Sequence, residues 1–152
     1  MRPLAALIAA ALAFVALPAG AATYRVDDGA TQPYESAVAL RWRSVAPTRG
    51  GDDTMEGATT VQVRLNLAPW LNRQGRIYLA LPEQPPGKVV ARWTTQGRLL
   101  PGQVGTGQRT LVYAGPITTP LLAETLALRI EADGNRMAAS YRLNFHFEID
   151  VD

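Results

Sequence analysis

Cysteine is absent from this chain of 152 residues, and histidine and lysine each occur only once, as His146 and Lys88. Without cysteine the chain can form no disulfide, no zinc thiolate site and no thiol nucleophile. Arginine supplies nearly all of the positive charge, but the arginines are scattered singly and the formal net charge is only +2. This distribution does not indicate a basic stripe of the kind that binds nucleic acid. We expect neither a nucleic-acid partner nor a cofactor.

The first 22 residues have the composition of a secretory signal peptide. Arg2 supplies a short positive region, residues 4–17 are apolar throughout, and residues 19–22 are small. An apolar run of about 14 residues is too short to span a bilayer comfortably, although a short N-terminal anchor helix is the alternative interpretation. We expect cleavage at the end of this segment, export to the periplasm or the outside of a bacterium, and no membrane span afterwards. The mature chain, residues 23–152, has the length of one domain.

The clearest pattern in the chain is the alternation of apolar and polar residues over 141–152. Successive side chains of a β-strand point to opposite faces, so this spacing places the apolar residues on one face and the polar residues on the other. A helix, at about 100° per residue, would mix the two sets around its surface. The pattern therefore predicts a half-buried terminal strand. Its apolar row comprises Tyr141, Leu143, Phe145, Phe147, Ile149 and Val151.

Shorter segments with alternating or strand-like composition precede the terminal one, and no convincing helical period occurs outside the leader. The predicted strands cover residues 24–26, 34–43, 59–67, 76–81, 88–95, 109–113 and 125–132. Each apolar face can be buried only against another sheet. The pattern therefore predicts an all-β fold, a two-layer antiparallel β-sandwich of about seven to eight strands, immunoglobulin-like or jelly-roll-like.

Two segments without periodicity are predicted to be loops. Residues 46–58 contain Asp52 and Asp53, which could ligate calcium, but the regular oxygen spacing of a calcium loop is missing and a solvated turn is the better interpretation. Residues 101–108 are rich in glycine. No helix follows them, so we expect a flexible loop rather than a phosphate-binding loop.

Two turn signals lie in the last third of the chain. Pro120 could open a short helical turn within residues 117–124. Asp133 and Gly134 are typical of a type I′ turn, which requires positive φ at both central residues. We expect this turn to form a hairpin that returns through residues 137–151.

His146 is the main candidate for chemistry, because it stands in the polar row of the terminal strand beside Glu148. Side chains two residues apart on a strand are about 7 Å apart, so Glu148 could orient the imidazole as half of a general-base arrangement. No serine lies in a nucleophile elbow, and Glu148, Asp150 and Asp152 diverge along a straight strand rather than converge on a metal. We therefore expect no catalytic residue and no metal ligand.

Aromatic residues are the other candidates. Trp42 and Trp93 fall on inferred inward faces, where core packing is their ordinary role. Trp70 follows a proline at a corner, near Tyr78 and Arg73 in the sequence. These three residues could form an exposed platform on which a sugar stacks; alternatively, Trp70 plugs the end of the sandwich.

Three functions are consistent with these sequence features. The first is an exported, non-enzymatic interaction or assembly module that binds a protein partner or its own copies through a sheet edge or loops. Its architecture is loosely similar to secreted sandwich domains such as fimbrial subunits. The second is a carbohydrate-binding module that uses Trp70, Tyr78 and Arg73. The third is a hydrolase or metal-binding protein that uses His146 and the carboxylates near it.

Overall fold

The structure, a computed structural model, describes residues 20–35, 37–44, 51–83, 87–136 and 142–152. Ten strands and one short 3-10 helix, Ala68–Trp70, are found in these ranges. The strands are β1 (Ala22–Arg25), β2 (Gln32–Pro33), β3 (Arg41–Trp42), β4 (Thr54–Asn66), β5 (Gln74–Leu81), β6 (Val89–Thr95), β7 (Gly102–Gly105), β8 (Gln108–Pro116), β9 (Leu121–Asp133) and β10 (His146–Val151).

The strands form two antiparallel sheets, as the alternating pattern predicts. The smaller sheet has the order β1-β10-β5-β8, and the larger sheet has the order β2-β4-β9-β6-β7 with β3 also paired to β4. The prediction of an all-β, two-sheet fold is therefore confirmed, with ten strands in the described ranges rather than seven or eight. No helix among the described residues is both long and apolar enough to cross a membrane.

The core lies between the two sheets and is built from the alternating rows. Phe147, Ile149 and Val151 of β10 are all less than 5 % exposed, which confirms the inward face predicted for the terminal strand. Val63 and Leu65 of β4 are equally buried on the facing sheet. Trp93 is in the core as predicted, 2 % exposed, and its indole Nε1 donates a hydrogen bond to the Leu100 carbonyl oxygen at 2.9 Å.

The longest strands are β4 and β9, which pair with each other along all 13 residues of each. Two predictions are wrong here. The predicted loop 46–58 becomes strand from Thr54 onward, although residues 45–50 lie outside the described ranges. The helical turn predicted at Pro120 does not form, because β9 begins at the next residue, Leu121. Continuous pairing satisfies the backbone N–H and C=O groups of both segments, which a loop over a buried sheet would leave unpaired.

The continuous strand predicted over 34–43 is also wrong. Of this range, the structure shows only β3, Arg41–Trp42, as a strand; β3 pairs with β4, and so does the two-residue strand β2, which ends just before the range begins. Residues 37–40 are not in a strand, and Val38 and Leu40 pack over Gly57 so closely that a Cβ there would lie 2.8 Å from each of them. Val38 and Leu40 are partly buried and pack against the core instead of extending a sheet.

Trp42 is predicted to point inward, but its side chain is exposed to 38 %. Its ring lies against Gly134, where a Cβ would collide with it. Glycine is needed at this position for that close approach rather than for a positive φ, which Gly134 does not have. The type I′ prediction is therefore wrong, although the chain does turn there, with the Arg136 N–H donating to the Asp133 carbonyl oxygen at 3.2 Å.

The predicted hairpin between β9 and the terminal strand is not formed. Both edges of β9 are occupied by β4 and β6, so β10 pairs instead with β1 and β5 in the other sheet. The strand begins at His146, and residues 142–145 are not in a strand. Residues 137–141, through which the return was predicted, lie outside the described ranges.

The glycine-rich segment 101–108 contains a strand rather than only a flexible loop. β7 pairs with β6, and Gly102 lies against the Trp93 ring, where a Cβ would come within 3.1 Å of it. Gly107 has a φ of 76°, which suits the tight turn into β8. Glycine is therefore used here for close packing in β7 and for the turn that leads from β7 in the larger sheet to β8 in the smaller one.

The N-terminal arm joins the two sheets. β1 pairs with β10 at the edge of the smaller sheet, where an edge strand near Tyr24 was predicted. Val26, which follows β1, is almost completely buried. Asp27 then forms a bridge to Asn66 of β4, and β2 continues along β4 in the larger sheet. The arm thus crosses from one layer to the other and closes one side of the sandwich.

Candidate functional site

Trp70 is placed in the core by the short 3-10 helix. Its side chain is 8 % exposed, and its ring centroid lies 6.0 Å from that of Tyr24, with the planes tilted by 44°. Aromatic pairs at this separation and tilt attract each other through their quadrupoles. The Trp70 ring therefore belongs to the core, against Tyr24, and is not free to act as an exposed stacking platform.

Tyr78 lies on the opposite side of the smaller sheet from Trp70. Its neighbours Ile77 and Leu79 are buried, so alternation directs Tyr78 to the outer face. There the Arg109 guanidinium covers the ring, with its central carbon 4.2 Å from the ring centroid. This is the geometry of a cation–π interaction, which occupies the ring face that a sugar would use.

Arg73 follows the short 3-10 helix and contacts the end of the chain. Its Nη2 donates a hydrogen bond to the Asp152 carbonyl oxygen at 2.7 Å. Its own backbone N–H donates to the Trp70 carbonyl oxygen at 3.2 Å. The three residues predicted as one ligand site are thus divided: Trp70 and Arg73 share a backbone contact, but the Trp70 ring is inside and Tyr78 belongs to the outer face.

His146 and Glu148 meet as their spacing predicts, with Nε2 of the imidazole 2.9 Å from Oε1 of the carboxylate. The second carboxylate oxygen of Glu148 is 3.2 Å from Nη1 of Arg109. Within the described ranges, no group of three or more histidine, aspartate and glutamate side chains is arranged to hold a metal ion. The polar groups beside His146 are therefore engaged with one another.

Asp150 is the centre of this outer face. Its side chain is 11 % exposed and forms a two-pronged pair with Arg109, in which Nη1 contacts Oδ1 and Nη2 contacts Oδ2, both at 3.2 Å. Thr23 Oγ1 of β1 donates a third hydrogen bond to Oδ1 at 2.6 Å. These contacts, which we call the Asp150 network, link β8, β10 and β1 across the smaller sheet.

The network also determines the charge state of Asp150. Burial by itself would raise the pKa of this carboxyl group, but the hydrogen bonds from Thr23 and Arg109, together with the positive charges of Arg109 and Arg76, more than offset it. The pKa of Asp150 is therefore held below its ordinary value. The carboxylate stays ionised at neutral pH and, through its hydrogen bond from Thr23, helps to hold β1 against β10.

The other edge of β1 is open in the part of the chain that the structure describes. The Val26 N–H donates to the Phe147 carbonyl oxygen at 2.9 Å, so hydrogen-bonded pairs with β10 recur at Tyr24 and Ala22. The N–H and C=O groups of Thr23 and Arg25 consequently point away from β10. β1 has no second partner strand among the described residues, and all four of its residues are exposed.

Arg109 and Thr23 are not among the residues predicted from the sequence. The polar row of the terminal strand, with Glu148, Asp150 and Asp152 at alternate positions, would have indicated a need for basic partners on a neighbouring strand. It could not indicate Arg109, since β8 lies two strands away from β10. The order of the strands in the sheet determines which basic side chain lies close to the polar residues of β10.

Comparisons of this chain with protein-family models, with curated proteins and with solved structures returned no match.

Proposed function

We propose that this chain is an exported, non-enzymatic interaction domain that binds a protein partner through the open edge of β1. The observation that carries this proposal is the outward direction of the backbone N–H and C=O groups of Arg25 and of the C=O group of Thr23, which becomes the first residue of the mature chain. Unpaired backbone groups at a sheet edge are a template for the addition of another strand. Export follows from the leader over residues 1–22, and a secreted sandwich, immunoglobulin-like or jelly-roll-like and fimbrial-subunit-like in general character, suits such a role.

The edges of β8 and β4 are better covered than that of β1. The Leu100 N–H donates to the Val112 carbonyl oxygen at 2.7 Å, and Thr110 Oγ1 donates to the Gln103 carbonyl oxygen, so the β8 edge already has backbone contacts. β2 and β3 lie along the β4 edge of the larger sheet. This difference favours β1 as the edge at which a partner strand would be added.

A second copy of the chain is the simplest partner. Antiparallel pairing of two β1 strands about a two-fold axis at Tyr24 would place Thr23 of each copy opposite Arg25 of the other. The two Arg25 side chains would then not face each other, which avoids direct repulsion between these two guanidinium groups. Tyr24, 46 % exposed, would supply apolar contact at the centre.

The polar groups of the outer face support a non-enzymatic role. His146 pairs with Glu148, and Glu148 and Asp150 both pair with Arg109. These groups stabilise one another and link strands. The geometry gives less support to the carbohydrate-binding alternative, because the Trp70 ring is buried and Arg109 covers the Tyr78 ring.

The test is sedimentation of the exported protein over a wide concentration range, with Arg25→Pro and Arg25→Ala as a matched pair. Proline removes the outward N–H of residue 25 without removing a hydrogen bond to β10, whereas alanine keeps that N–H. We expect the wild type and R25A to dimerise with increasing concentration and R25P to remain monomeric, with similar melting temperatures for all three.

A photo-crosslinking residue in place of Tyr24 extends the test to partners other than a second copy. In the exporting cell it should give a covalent adduct, whereas the same residue at the exposed Gln96 should give none. A wild type that stays monomeric at every concentration and forms no adduct at position 24 would contradict the proposal, and so would an R25P variant that dimerises like the wild type.

A further inference from the structure

Arginines that are scattered in the sequence share the outer face of the larger sheet. Val63, Ala91 and Ile130 are buried in the core, so alternation directs the arginines beside them in β4, β6 and β9 outward. Arginines in and just after β3 join them beside Glu56. The five residues are Arg41, Arg43, Arg64, Arg92 and Arg129. Within the described ranges, the acidic side chains in contact with them are only Glu56, Glu131 and Asp52, which leaves an excess of positive charge.

Three of these residues surround two glutamates, and we call Arg43, Arg92 and Arg129 the arginine cluster. Arg43 Nη2 lies 2.9 Å from Glu131 Oε1, and Arg92 contacts the same oxygen. Glu56 Oε2 lies 3.4 Å from Arg43 Nε and 3.8 Å from Arg129 Nη1. The side chain of Glu131 is only 15 % exposed, whereas those of Arg92 and Arg129 are 52 % and 62 % exposed. A ligand that approaches this face therefore meets guanidinium groups before carboxylates.

Arg92 and Arg129 stand directly opposite each other on β6 and β9. Like charges in this position repel each other and are destabilising. Opposite residues of paired strands lie about 5 Å apart, so one carboxylate can be reached by both of these long side chains. The guanidinium fork matches the geometry of a carboxylate. An added carboxylate at this point would therefore be bound and would also relieve the repulsion between the two arginines.

A shallow hollow adjoins the arginine cluster along β4 and β9, where Ala58 stands opposite Arg129. Its floor consists of short side chains: Ala58, Thr60, Thr125 and Ala127. Tyr34, 68 % exposed, borders the hollow, and its hydroxyl oxygen accepts a hydrogen bond from Gln62 Nε2 at 3.1 Å. An exposed aromatic ring beside hydroxyl groups offers the mixed apolar and polar surface on which a sugar ring packs. Glu35 also borders the hollow, so we expect the carboxylates of a ligand at the Arg129 end.

We propose that the outer face of the larger sheet binds an acidic polysaccharide whose sugars carry carboxylate groups. The carboxylates pair with the arginine cluster, and a neighbouring sugar ring occupies the hollow against Tyr34. A membrane surface fits less well, because the short side chains of the hollow offer nothing to insert among lipid chains. The site uses neither the β1 edge nor the platform predicted from Trp70, Tyr78 and Arg73, and it shares with the proposed function only the expectation of export.

The test is calorimetric titration of the exported protein with octagalacturonate, an oligomer in which every sugar carries a carboxylate. We expect saturable binding that is weaker in about 150 mM salt than in about 20 mM salt, because salt screens exposed charges. The fully methyl-esterified oligomer has the same sugars without the charges and should not bind. Octaglutamate has the same number of side-chain carboxylates without sugar rings and should bind more weakly than octagalacturonate.

Matched variants locate the site. Arg92→Gln and Arg129→Gln should each weaken octagalacturonate binding about fivefold, because each removes a charge-assisted contact. Arg76→Gln removes the same charge from an exposed arginine of the smaller sheet and should change the Kd less than about twofold. Tyr34→Ala should weaken octagalacturonate binding about threefold, the scale of one lost aromatic contact, and should leave octaglutamate binding unchanged.

Three results would overturn the proposal. The first is folded wild-type protein that shows no saturable binding of octagalacturonate. The second is a loss in R76Q as large as the loss in R129Q, which would mean that only the net charge of the protein matters. The third is tighter binding of octaglutamate or of phosphatidylglycerol vesicles than of octagalacturonate, which would assign the face to an acidic peptide or to a membrane. The acid and the methyl ester are compared on wild-type protein, so the test remains decisive if a variant does not fold.

Discussion

Arg109 of β8 and Asp150 of β10 form a two-pronged ion pair across the intervening strand β5, with both contacts at 3.2 Å. The Arg109 guanidinium lies over the ring of Tyr78, a residue of β5, and packs against it. A charge-assisted pair of this geometry is stronger than a single surface contact. With the hydrogen bond from Thr23, it ties three of the four strands of the smaller sheet together.

Replacing Asp150 with asparagine should lower the free energy of unfolding by about 2 kcal/mol, because it removes hydrogen bonds to a charged group that is largely buried. Urea unfolding measures the change. Asp152→Asn is the matched control: its side chain is 66 % exposed, so we expect a loss of less than about 0.5 kcal/mol. Equal losses in the two variants would contradict the central place of Asp150 in the network.

The low pKa of Asp150 predicts a specific dependence of stability on pH. Because its pKa is lower in the folded state than in the unfolded state, its contribution is present above the unfolded value, about 4, and is lost as pH falls through the lower folded value. The wild type should therefore lose its advantage over D150N below about pH 4. Asp52, whose pKa is also lowered, contributes equally to both proteins, so the difference between their unfolding curves isolates Asp150.

Phe147→Asp should prevent folding, because it places an unpaired charge in the fully apolar row of β10. The neighbouring change His146→Asn should cost little, since residue 146 lies on the outer face. Aspartate at position 146 would be a poor control, because it would stand beside the Glu148 carboxylate. Circular dichroism and thermal melting distinguish the two variants, and similar melting curves would mean that the register of β10 is wrong.

Glu124 of β9 holds the turn after β6, and its removal should be destabilising. Its carboxylate accepts the backbone N–H groups of Arg98 and Leu99, at 2.5 and 2.9 Å, and lies so close to Gly97 that a Cβ there would collide with it. Glu124→Ala leaves the N–H of the buried Leu99 without this partner. We expect a loss of about 2 kcal/mol by urea unfolding.

Glu83→Ala, at an exposed position, is the control for the charge removed with Glu124 and should change stability by less than about 0.5 kcal/mol. If E124A is as stable as E83A, the carboxylate does not hold the turn. Gly97→Ala in the wild type should also be destabilising, since the added methyl group displaces the same carboxylate.

The candidate site shows what a local pattern can and cannot predict. The contact between His146 and Glu148 was accessible from the sequence, because residues two apart on one strand share a face. The contact between Arg109 and the Tyr78 ring could not be predicted from the sequence, since the two residues belong to different strands. The burial of Trp70 depends equally on a distant segment, because Tyr24 and the end of the core enclose it.

The alternation of apolar and polar side chains by itself determined that this protein is all-β and which face of β10 enters the core, because the two-residue period is a property of the extended backbone. Only the tertiary structure decided how the strands divide between the sheets. β9 already has β4 and β6 on its two edges, so the terminal strand joins β1 and β5 and brings Asp150 within reach of Arg109. Strands from the whole chain compete for the same backbone hydrogen-bonding partners. The pattern of residues within one strand therefore does not show which strands become its neighbours.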